Sequence, residues 1–100
     1  MKKIRNYAQV LFFQEIPNIG PAMAKDFKLL GLRIPADLKK QDPYKMYFKL
    51  CQVTKQKHDP CVLDVFISAV RFMQGYAVKP WWFYTKERKK TLKKVAPHQG

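Results

Sequence analysis

Ile16-Pro17-Asn18-Ile19-Gly20-Pro21-Ala22-Met23-Ala24 is the stretch whose reading decides the fold. Pro17 stops whatever helix precedes it, and Pro21 presets φ for a new helical start. Between them Asn18 and Gly20 suit a tight turn, because glycine adopts positive φ freely and asparagine tolerates it. Ile19 is the apolar tip that buries the turn, and Ala24 is small enough for two helices to cross closely. Phe13, Ile16 and Phe27 complete the apolar positions on either side. Such a turn leaves the amides of Gly20, Ala22 and Met23 unpaired at the positive end of a helix, which is an anion site. Lys25 adds a charge nearby. Phosphate fits this site without any base being read.

Working outward, the periodicity is helical. Ile4, Tyr7, Ala8, Leu11 and Phe12 form a stripe that predicts a helix before the turn. Ala24, Phe27 and Leu30 supply the buried face of the helix after it, and Gly31 marks its end. Pro35, Pro43 and Pro60 each read as a helix start, the last two following the caps Asp42 and Asp59. These signals predict helices over residues 35–40, 43–53 and 60–74, the last apolar around most of its circumference and therefore central. No stretch alternates long enough for a strand. The expected fold is all-α: a compact five-helix bundle over residues 1–78, followed by an aromatic and basic tail over 79–100. In that tail Trp81-Trp82-Phe83-Tyr84 either anchors the chain to the bundle or stacks unpaired bases, and anchoring is the favoured reading. The run from Lys86 to Lys94 reads as a solvated arm that strengthens polyanion binding by counterion release.

The order helix, turn, helix at residues 13–27 is that of a helix-hairpin-helix element. The run from Ile16 to Ala24, with Leu30-Gly31-Leu32, Ala36-Asp37-Leu38, Gln41-Asp42-Pro43, Leu50-Cys51 and Asp59-Pro60-Cys61-Val62-Leu63-Asp64-Val65-Phe66, resembles the small bacterial pathogenicity-locus family of helix-hairpin-helix proteins. Trp81-Trp82 resembles its ending, so the likeness spans about residues 10–84. The resemblance implies a helical fold and a DNA-binding role. Asn18 departs from the commoner glycine. By analogy of layout, Thr54–Asp59 reads as a degenerate second hairpin carrying Lys55, Lys57 and His58, so that paired hairpins grip two strands.

Charge narrows the partner. Twenty Lys and Arg against seven Asp and Glu give +13 over 100 residues, which implies an anionic partner. The function expected is non-sequence-specific binding of nucleic acid, double-stranded DNA foremost, through Asn18, Ile19, Gly20, Ala22, Met23, Lys25, Lys55 and Lys57. The alternative is a protein-interaction adaptor using the same hairpin; a weaker one is association of the tail with an anionic membrane. Asp37 and Asp42 lie where a helix-hairpin-helix glycosylase carries its catalytic acid, but Asp42 reads as a cap and 100 residues leave little room for a base pocket. With two histidines, one of them His98 in the tail, no nucleophile-base set assembles, so no catalysis is expected. Cys51, His58 and Cys61 lack zinc-site spacing; core packing is expected of both cysteines, with no metal and no cofactor. No apolar run approaches the roughly 18 residues of a membrane span, and a cytoplasmic location is expected.

Overall fold

In the computed structural model of the protein, residues 1–95 are described. All of the regular structure among them is helical. Four α-helices, α1 (Pro21–Leu29), α2 (Pro43–Thr54), α3 (Cys61–Met73) and α4 (Thr85–Val95), join the six-residue 3-10 helix Pro35–Lys40 to make five. Single 3-10 turns lie at Tyr7–Gln9, Phe13–Glu15 and Trp81–Tyr84.

The local signals act as expected at most starts and stops. Asp42 Oδ1 accepts from the Tyr44 amide at 2.8 Å, and Asp59 Oδ1 from the Cys61 amide at 2.8 Å. Pro21, Pro35 and Pro43 each stand at the first helical position, whereas Pro60 is the residue before it, α3 beginning at Cys61. α1, α2 and α3 end alike, each on a residue of positive φ: Gly31 at 88°, Lys55 at 54° and Gly75 at 95°. In each case the following amide reaches back five residues, Leu32 to Phe27, Gln56 to Cys51 and Tyr76 to Arg71, all at 3.0 Å. A glycine serves this turn in two helices and a lysine in the third.

The helix expected over Ile4–Phe12 does not form. The Asn6 side chain takes the Ala8 amide at 3.0 Å, and Glu15 Oε1 takes those of Leu11 and Phe12, both at 2.8 Å. These side chains satisfy the backbone locally, in competition with a helical ladder. Pro17 in turn holds Ile16 at ψ 131°, outside the helical region. Leu11 and Phe12 end up exposed, while Val10 and Phe13 are buried. The count of five helices stands because α4 takes the place of that first helix.

α3 is the hub, as its apolar circumference predicts. Leu63, Phe66, Ile67 and Ala69 have no exposed surface, and α2, α4, Pro35–Lys40 and the Trp81–Tyr84 turn all pack on this helix. Phe13, Phe27 and Phe66 stack in sequence at centroid separations of 5.1 and 5.6 Å, carrying the core from the Pro17–Gly20 turn into α3. The aromatic and basic segment returns to the same helix. Tyr84 is buried, Trp81 and Leu92 pack on the core, and buried Arg88 meets buried Asp64 of α3 at 2.8 Å. Residues 96–100, the end of the segment read as a tail and the site of His98, lie outside the described residues.

Candidate nucleic-acid interface

The turn before α1 is built from both ends. Phe13–Glu15 gives one 3-10 turn, and Ile16 and Ile19 follow it with no exposed surface. The Ile19 amide closes on the Ile16 carbonyl at 3.1 Å. Asn18 has φ 74°, the left-handed conformation that its place in the turn predicts. Ala24 is buried, but the close crossing of two helices expected there is absent, since the 3-10 turn Phe13–Glu15 stands in place of the first helix.

Gly20 departs from expectation. Its backbone is extended (φ −99°, ψ −172°), so positive φ is not what glycine supplies here. The extended conformation follows from the proline after it. A Cβ built on Gly20 meets nothing within 4 Å. What glycine supplies is open space above the start of α1. Ala24 makes the first helical bond, to the Gly20 carbonyl at 3.0 Å. The amides of Gly20, Ala22 and Met23 have no acceptor among the described residues, since Gly20 carries no capping side chain and Pro21 no N–H. Three donors thus line an uncovered surface at the positive end of a nine-residue helix.

Two contacts with distant residues hold this turn, and neither has a signal in the sequence. Lys3 Nζ donates to the carbonyls of Gln14 at 2.8 Å, Ile16 at 3.1 Å and Ile19, gathering the inner side of the turn around one ammonium. Burial lowers the Lys3 pKa from the ordinary lysine value, while the carbonyls favour the charged form. On the outer side Asn18 Nδ2 donates to the Lys79 carbonyl at 2.9 Å, across 61 residues. The departure from glycine at position 18 therefore adds a tether.

The remaining expected site residues are spread around this turn. Ile19 is fully buried and supports the turn from below, whereas Ala22 and Lys25 are exposed and Met23 half-buried. Lys55 and Lys57 are exposed on the α2–α3 connection, where Thr54 Oγ1 and His58 Nε2 lie 2.8 Å apart. Burial raises the pKa of Asp26 on α1, and the charges of His58 and Lys25 partly oppose it.

Elsewhere, Cys51 is half-buried against the core as expected, but Cys61 is exposed at the start of α3. Its place two residues ahead of the buried stretch, beside the Asp59 cap, keeps it in solvent. Among the described residues no group of three or more His, Cys, Asp and Glu side chains gathers around a common point. No helix among them is long and apolar enough to cross a membrane.

Fold and site together define a small all-helical protein with an open, amide-lined turn beside lysines. The chain belongs to the pathogenicity-locus family (Cdd1), which residues 6–90 match. It is similar to the mitomycin resistance protein McrB of Streptomyces lavendulae, at 39% identity over 75 residues, covering 75% of this chain and 71% of that one. No solved structure matches.

Proposed function

We propose that this protein binds nucleic acid through phosphates, without reading sequence, using the Pro17–Met23 turn as the hairpin of a helix-hairpin-helix element whose first helix is reduced to the 3-10 turn Phe13–Glu15. The observation that carries the reading is the set of free amides of Gly20, Ala22 and Met23 above a glycine with open space over it. A phosphate oxygen is the ligand such donors suit, and +13 of net charge favours a polyanion over a single small anion. Lys25 extends the contact, and Lys55 and Lys57 on the adjoining connection supply a second grip. Mitomycin resistance, the property in the relative's name, is a phenotype and assigns no contact, so the reading rests on the turn.

A salt titration of fluorescence anisotropy, on duplex and single strands, tests this. Neutralising about four phosphates gives a slope of log affinity on log salt near −3.6. Gly20→Thr keeps the extended backbone and adds a capping side chain that covers the amides, so the fold persists while affinity falls roughly tenfold or more. Absence of binding at low salt, or affinity indifferent to salt, refutes the proposal.

One observation favours the adaptor reading. Exposed Leu11 and Phe12 border a cavity of about 240 Å³ that reaches Ala24, Lys28, Arg33 and Pro35. Under that reading Gly20→Thr leaves DNA binding intact and Phe12→Asp abolishes capture of a protein partner. Deleting residues 81–100 does not isolate membrane association, because it also strips Asp64 of Arg88. Substituting the exposed Lys89, Lys90 and Lys93 with Gln is the cleaner variant.

A further inference from the structure

Resting on the phosphate-binding reading, we infer that Trp82 and Phe83 form a stacking platform for unpaired bases of a single strand held at the adjacent turn. The four aromatic residues at 81–84 divide their labour. Trp81 packs on the core and Tyr84 is 5% exposed, whereas Trp82 and Phe83 are 63% and 53% exposed. Packing of the first residue on the core and burial of the last hold the two between them beside α3, the most buried helix of the bundle. The Phe83 ring is held edge-on to Tyr84 at 5.1 Å, and Lys79 Nζ lies 5.0 Å from its centroid. Large apolar rings kept in water by neighbours anchored in the core mark a surface for a partner.

The location selects the partner. The Lys79 backbone is hydrogen-bonded to Asn18, two residues before Gly20, so the platform's leading segment is fastened to the phosphate-binding turn. Trp82 is three residues further on, at most about 11 Å of chain from Lys79, a reach of about three stacked nucleotides. Residues 16–25 and 76–86 contain no Asp or Glu and carry Lys25, Lys79 and Lys86. Aromatic faces with a cation over one of them and no acid in either segment suit a polyanion that also presents flat rings. A single-stranded nucleic acid is such a ligand, and in duplex the ring faces are hidden by stacking.

The test compares oligo(dT), blunt duplex and the same duplex with a single-stranded overhang, using full-length protein. Trp82→Ala and Phe83→Ala should each lower affinity for oligo(dT) by roughly five- to a hundredfold, and for the overhang similarly, with blunt-duplex affinity within about twofold of wild type. Both side chains are exposed, so the variants keep the wild-type circular dichroism spectrum. In Trp81→Phe, where Trp82 is the one tryptophan, oligo(dT) should quench the fluorescence and blunt duplex should not. If duplex binds but Trp82→Ala and Phe83→Ala leave oligo(dT) affinity within twofold, the platform is refuted and the turn's role stands. If none of the three nucleic acids binds wild-type protein, the phosphate reading itself falls. Binding to anionic phosphatidylglycerol vesicles through Trp82, with no oligo(dT) binding, also overturns the platform.

Discussion

Replacing Arg88 with Met removes the cation that compensates a carboxylate with no exposed surface. Asp64 accepts from Arg88 Nε at 2.8 Å, from a terminal guanidinium nitrogen at 3.4 Å and from Thr85 Oγ1 at 2.6 Å. After the substitution Thr85 alone remains, in a site walled by the core helix. Breaking a buried pair in this way costs about 3–5 kcal/mol, a large share of the roughly 5–15 kcal/mol that holds a domain together. At about 4–8 °C per kcal/mol for a domain of this size, Tm should fall by roughly 12 °C or more. Removing both charges, in Asp64→Leu/Arg88→Met, should return most of that loss, because a well-packed apolar pair avoids the desolvation of two ions. The exposed counterpart sets the contrast. Arg71 and Glu87 meet at 2.6 Å, yet their side chains are 29% and 39% accessible, so Glu87→Gln should cost at most about 1 kcal/mol. Thermal and urea unfolding of the three variants, followed by circular dichroism, reads all of these values. A loss below about 1 kcal/mol in Arg88→Met would refute the claim that this pair docks α4 on α3.

Lys55→Gly relieves a lysine at φ 54°, so it should stabilise the fold by about 1 kcal/mol in urea unfolding while weakening DNA binding; a loss of stability would refute the αL assignment. Lys3→Met leaves three carbonyls of the turn without their shared donor, for a loss of about 1–3 kcal/mol and faster amide exchange at Ile16 and Ile19; unchanged exchange would contradict the contact. The Arg33 and Ile34 amides lower the pKa of Asp37, and the Cys61 amide lowers that of Asp59. Folded pKa values below the unfolded ones make these contributions complete above about pH 5 and lost as pH falls below about 4. The urea midpoint of Asp37→Asn/Asp59→Asn should therefore decline less steeply in acid than that of wild type, and an equal decline would refute the assignment.

What was legible in the sequence was what neighbours in the chain decide. Asp-Pro starts, glycine stops and the apolar circumference of α3 each depend on a few consecutive residues, and each acts in the structure as read, save that α3 starts one residue after Pro60. The stripe from Ile4 to Phe12 misled because periodicity describes a helix only where the backbone bonds are free to form one. Asn6 and Glu15 take those amides first. The docking of α4 rests on Asp64 and Arg88, 24 residues apart, and a lysine-rich helix with one buried arginine has the composition of a solvated arm. At the candidate site, Asn18, Ile19 and Ala24 were legible in type and place. Gly20 was legible in place only: its value lies in open space, which depends on what the rest of the chain leaves uncovered. Lys3 and Lys79 were not legible, because their contacts join segments with no pattern in common.

The charge itself has a structural explanation that a net value conceals. Four of the seven acids, Glu15, Asp37, Asp42 and Asp59, accept from backbone amides, and two more, Asp64 and Glu87, bind arginines. Both ion pairs among the described residues use arginine, so no described lysine is matched by a carboxylate. The acids are consumed in building helix ends and docking α4, and the lysines keep their charge unmatched, even Lys3, which binds neutral carbonyls. Such a field draws in any polyanion over a distance near the Debye length, about 8–10 Å at moderate salt, and does not select among them. Selection has to come from features with direction: the amides over Gly20 and the rings of Trp82 and Phe83. For this reason affinity at one salt concentration is a poor measure of the site. The salt slope reports the lysines, and the affinity that persists as salt rises reports the turn and the platform.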